Sequence, residues 1–191
     1  QKFVAAREQL EAAVHLEPEN SEAYYHLGRV CGVQGDYLEL ADAFDRAQQL
    51  TNEYDQQIAA ERLHYWLRIY NDGLRAAAGR GADLVTARRH FSTAVRVQND
   101  SLNAWRNLAV IDFKLGHATE ALRSYAHVLE ITPEDTATAH AIGVIHLAEQ
   151  RYDDAATSFA YVLQYGEHQG ALLTLAIGQR HLGQDEMAAA T

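Results

Sequence analysis

Apolar side chains recur three and four positions apart along most of this chain, the spacing of one buried stripe on an α-helix. Tyr24 and Leu27 begin one such stripe, and Leu40, Phe44 and Ala47 form a second. Ile58, Arg62, Tyr65, Ile69, Gly73 and Ala76 keep helical spacing through a third. Two prolines in 191 residues, with abundant Ala, Leu, Gln, Glu and Arg, leave few helix breakers. The pattern predicts an all-α chain. The stripes also repeat: Ala121 to Ala155 and Tyr125 to Phe159 are 34 residues apart, as are Ala6 to Leu40 and Leu10 to Phe44. A fixed period of this kind marks stacked supersecondary units.

Each period has the same grammar. Trp105-x-x-Leu108-Ala109 and Leu115-Gly116 lead to Ala121-x-x-x-Tyr125-x-x-Val128 and Pro133. Tyr24-x-x-Leu27-Gly28 leads in the same way to Leu40, Phe44 and Ala47, and Ala139-x-x-Ile142-Gly143 to Ala155, Phe159 and Val162. On these residues the chain resembles the tetratricopeptide repeat family over essentially its whole length. The resemblance implies antiparallel helix pairs stacked into a right-handed superhelical solenoid with a concave inner face. On that pattern the second helix of a partial repeat occupies 1–20. Full repeats occupy 21–54, 102–135 and 136–169, and an incomplete final repeat 170–191. Gly28, Ala109 and Gly143 are small where the two helices of a pair cross most closely. One pair cannot bury both its faces, so neighbouring repeats complete the core.

The middle of the chain departs from the period. Ala47 and its counterpart Ala94 are 47 residues apart, 13 more than one period. We read a variant repeat at 55–101, in which residues 55–65 are an insertion and two further residues widen the Gly79-Arg80-Gly81 turn. Nothing across the join breaks a helix, so the spacing predicts one long helix from about Tyr54 to Ala78. Such a helix either protrudes three turns from the solenoid or serves as a longer packing helix. The chain opens on a second helix and stops where another should begin. This reads as a fragment of a longer array, with ends suited to self-association.

Charge narrows the partners. The formal charge is −10, with a net of −6 over residues 1–54, +2 over 55–100 and −6 over 101–191. An acidic chain repels phosphate backbones and anionic lipid, which argues against nucleic acid and membrane-surface partners. No apolar run approaches the ~18 residues of a membrane span. A single cysteine, Cys31, rules out a disulfide framework and a Cys-based zinc site, and its place in the stripe suits a small buried hydrophobe. One cysteine and no leader suit the cytoplasm, and a periplasmic protein with its signal removed has the same composition.

Catalytic chemistry finds no foothold. The ten histidines are scattered, none pair at i, i+4, and there is no HExxH. Glu134-Asp135 and Asp153-Asp154 fall at helix starts, where carboxylates cap free N–H groups. There is no nucleophile elbow or phosphate-binding loop, so the sequence predicts no enzyme, no cofactor and no metal.

What remains is the concave face, which in the family is lined mainly by first helices. The resemblance places Tyr25, His26 and Arg29 there from one repeat, and Tyr70, Asn71 and Leu74 from the variant repeat. It adds Arg106, Asn107, Val110 and Lys114 from the next, and His140 and Val144 from the last full repeat. Aromatic rings, amides and cations of this kind can grip a peptide. Family members that clamp a chaperone's C-terminal carboxylate use a set of Lys, Asn and Arg of which only Asn71 is matched, so that subtype is not expected. The expected function is a non-enzymatic interaction module, scaffold or adaptor, that binds a protein or peptide in its groove. The alternative is a structural or self-assembling spacer within a larger multi-repeat protein.

Overall fold

Helix boundaries fall where the local sequence supplies partners for unpaired backbone groups. The computed structural model describes residues 2–164, and among these there are nine helices and no strand. The expected partial repeat at 170–191, and residues 165–169 of the repeat before it, lie outside the described residues. Asn20 accepts a hydrogen bond from the Ala23 N–H at 2.9 Å, which starts α2 (Ser21–Gln34). Gly35, with φ at +89°, ends it by turning its N–H onto the Cys31 and Gly32 carbonyls. A side chain at that left-handed position would be strained, which is why glycine closes the helix.

The chain divides into two compact units, Gln1–Ala104 and Trp105–Thr191. In the first, α1 (Lys2–Leu16) lies on α2, α2 pairs with α3 (Tyr37–Leu50), and α4 (Asp55–Ala77) pairs with α5 (Leu84–Val97). α3 packs in turn on both α4 and α5. The second unit is entered through α6 (Leu102–Lys114) and continues with α7 (Ala118–Ile131), α8 (Thr136–Ala148) and α9 (Tyr152–Gln164). α7 packs on α8, and α8 on α9.

One steric device recurs. A Cβ added at Gly28 would lie 2.5 Å from the Phe44 ring, one at Gly73 2.9 Å from Phe91, and one at Gly143 2.5 Å from Phe159. All three phenylalanines are essentially inaccessible to solvent. The missing side chain lets each ring sit flat on the opposing helix, and the aromatic then fills the crossing. In the second unit Ala109 and Tyr125 belong to one buried cluster with Ala121 and Ile145.

The extra turns of α4 do not protrude. Ile58 is fully buried and Tyr65 nearly so. Arg62 donates to the Val97 carbonyl at 2.7 Å, pairs with Asp45, and stands 5.8 Å from the centre of the Phe44 ring. These bonds tie the added turns to α3 and to the end of α5. Gly32 completes the fit, because a Cβ there would lie 2.5 Å from the Tyr65 ring. The sequence reading had assigned no role to that glycine.

Candidate functional site

In the first unit the face of interest is assembled by three helices. A cavity of about 460 Å³ opens between α1, α2 and α4. Phe3 and Leu10 of α1 and Val30 and Val33 of α2 give it apolar walls, and Tyr65 of α4 lines it as well. Phe3 and Val33 are each about half exposed, so this apolar surface faces solvent. His26 and Arg29, both expected from sequence, stand on the rim with Glu61. Arg29 Nε is 3.2 Å from Glu61, and its guanidinium lies 5.6 Å from the centre of the Tyr25 ring.

Tyr25 has a different place from the one expected. It is buried, stacked on Tyr54 with ring centres 4.6 Å apart and nearly parallel. Its ring forms the bed under Arg29 instead of an open contact surface. Tyr70 is half-buried, stacked on Trp66 at 4.8 Å and edge-on to Phe91. Asn71 and Leu74 are exposed one position and one turn further along α4.

In the second unit Val110, Lys114 and Val144 are exposed, whereas Asn107 and His140 are half-buried. The His140 ring rests 5.4 Å from that of Phe159. Arg106 is committed elsewhere. Its Nε donates to the Asp135 carboxylate at 3.0 Å, and Asp135 also accepts from the Thr138 hydroxyl at 2.6 Å while capping α8. Burial pushes the Asp135 carboxyl up, but the bonds from Thr138 and Arg106 outweigh this and hold it below the ordinary value. Arg106 thus links α6 to the start of α8. Sequence spacing could not show this, because the partner lies 29 residues away. We expect Arg106→Met to destabilise the second unit by about 1–3 kcal/mol, the range for a charge-assisted bond with a nearly buried acceptor. Chemical denaturation of the variant measures the loss.

Groups with chemical potential are quiet. Cys31 is 1% exposed, and burial pushes its thiol up to about 11, which keeps it protonated at neutral pH. Among the described residues no cluster of His, Cys, Asp and Glu could hold a metal ion, and no helix is long and apolar enough to cross a membrane. His146 has a buried Nδ1 with no hydrogen-bond partner. Burial lowers its pKa from 6.5, Arg151 lowers it further, and Asp154 opposes. The unfolded chain therefore takes up the proton first, and stability is lost as pH falls below about 6.5. Urea midpoints at neutral and mildly acidic pH should fall further in the wild type than in His146→Leu.

Antiparallel helix hairpins with glycines under Phe44, Phe91 and Phe159 recur within the two units, the device of a helical-repeat fold. Residues 1–55 match the model of the tetratricopeptide repeat family, and the fold of the described residues is like that of solved tetratricopeptide repeat structures. A TPR repeat-containing protein of Methanocaldococcus jannaschii is 22% identical over 153 residues, covering 80% of this chain and 26% of that protein. The chain thus spans about a quarter of that relative's length. The TPR domain of Arabidopsis OM64 superposes with a TM-score of 0.56 at 16% identity, over 63% of this chain and 98% of that one. A tetratricopeptide repeat protein from Parabacteroides merdae gives 0.58 at 19% identity, over 86% and 60%. At these identities the likeness is one of fold.

Proposed function

We propose that this chain holds a partner protein or peptide on the face formed by its first helices, with α2 and α4 supplying that face in the first unit. The observation that carries this reading is the open cavity between α1, α2 and α4. It joins solvent-facing apolar walls to a rim bearing an arginine, a histidine and a carboxylate. A concave surface of that mixture suits a ligand with apolar side chains and a polar edge. In the second unit, taken by itself, Val110, Lys114 and Val144 are exposed on α6 and α8 and offer a separate contact surface, with Arg106 in a supporting role. The function is binding, without a chemical step.

The test compares the wild type with a triple variant, His26→Ala, Arg29→Ala and Asn71→Ala. Affinity capture from the source lysate should recover a protein with the wild type that the variant loses, while both melt alike. Equal recovery would refute the groove assignment. Arg106 is left intact, because its loss would confuse weakened binding with a weakened α6–α8 link.

A further inference from the structure

α4 carries two apolar stripes, and only one of them is covered. Ile58, Tyr65, Ile69 and Gly73 are buried within the first unit. On a different side of the helix, positions 59, 60, 63, 67 and 74 form a second line at helical spacing. Ala59 and Ala60 are exposed, and Leu63, Leu67 and Leu74 retain 48%, 46% and 41% of their accessible surface. At 1.5 Å per residue, the line from Ala59 to Leu74 is about 22 Å long. His64, Arg68, Asn71 and Arg75 run beside it, all exposed. Arg75 pairs with Asp72 and Glu61 with Arg29, so Arg68 is the cation beside the line that no carboxylate engages among the described residues. This border is cationic in a chain whose net charge is −10.

An apolar line at helical spacing matches the apolar stripe of another helix, and its border selects the sign of that helix's polar flank. We propose that α4 docks an acidic amphipathic helix. Its apolar side chains lie on Leu63, Leu67 and Leu74, and its carboxylates face Arg68 first and then Arg75, where they compete with Asp72. A basic helix would set like charges against the same border. This inference rests on the reading of the chain as a binding module and places a contact on α4 outside the cavity, since Leu63, Leu67, Leu74, Arg68 and Arg75 do not line it. It also extends the contact along the added turns of α4.

Two labelled peptides of about 18 residues, long enough to span the line, provide the test. They share one leucine stripe and differ only in carrying Glu or Lys on its flanks. Fluorescence anisotropy on the whole chain should show the Glu peptide binding at least about tenfold tighter, a gap of roughly 1.4 kcal/mol. The gap should narrow in high salt, as expected for exposed charges. Leu63→Glu with Leu67→Glu should abolish binding of the Glu peptide, and Arg68→Glu with Arg75→Glu should reverse the preference. All four positions are exposed, and circular dichroism melts confirm that the variants fold.

Equal affinity for the two peptides, preference for the Lys peptide, or no binding of the Glu peptide would each overturn the proposal. So would self-association abolished by the Leu63→Glu and Leu67→Glu pair, which would place a second copy on the line. A captured partner that is lost with the His26, Arg29 and Asn71 triple variant, yet indifferent to both α4 pairs, would overturn this inference alone. The groove reading would then stand.

Discussion

Replacing Phe44 with alanine should lower the stability of the first unit by about 3–5 kcal/mol. The ring has no exposed surface, lies against Gly28, and sits 6.2 Å from the Tyr25 ring. Its removal leaves a void that the surroundings are poorly placed to fill. Arg62 ties α4 to the Val97 carbonyl and pairs with Asp45, so the helices around the gap are held apart. Incomplete collapse is the condition under which a cavity adds most to the lost transfer free energy. In a chain of this length the change amounts to a drop in melting temperature of about 10 °C. Urea unfolding at constant m-value measures it directly. A loss below about 1 kcal/mol would show that the helix pair is held by something other than this ring. Phe44→Leu should fall well short of the alanine variant, since much of the volume is kept.

Gly143→Val is the matching experiment by overfilling. The Cβ alone would stand 2.5 Å from Phe159 Cε1 and 2.7 Å from Cζ, and valine adds two methyl groups. Phe159 is fully buried in a cluster with Ala139, Ala155 and Val162, and His140 lies 5.4 Å from its ring. The ring therefore has little room to swing. Leaving glycine gains up to about 1 kcal/mol of helix propensity, against an overpacking penalty of about 1–3 kcal/mol or more. We expect a net loss of about 2 kcal/mol in the second unit. Phe159→Leu in the valine background should recover part of it, because the two substitutions act on one contact. Simple additivity of the single variants would sink the steric explanation.

The all-helical fold was legible because its signal is local and repeated. Gly28 with Phe44 and Gly143 with Phe159 recur at one spacing, and the structure has each glycine under its ring. The spacing from Ile58 to Ala76 predicted a helix over about 54–78, and α4 occupies Asp55–Ala77. The face of interest was legible only as a set of exposed positions. His26 and Arg29 do meet at one cavity. Tyr25 and Arg106 were read as contact residues, and the structure engages them in a ring stack and an ion pair. The lining by Phe3 and Leu10 had no counterpart in the sequence reading, because α1 was considered only for its place in the repeat.

The sequence by itself determined the helices and the apolar stripe along each. Those follow from backbone geometry and side-chain spacing within a single turn or two. Only the tertiary structure decided which stripe of α4 is covered and which is open, why Gly32 must be small, and which carboxylates hold Arg62 and Arg106. Each depends on residues 17 to 35 positions apart brought together by helix crossings. A one-dimensional period shows that a face is apolar, but the crossing of two helices decides what covers it.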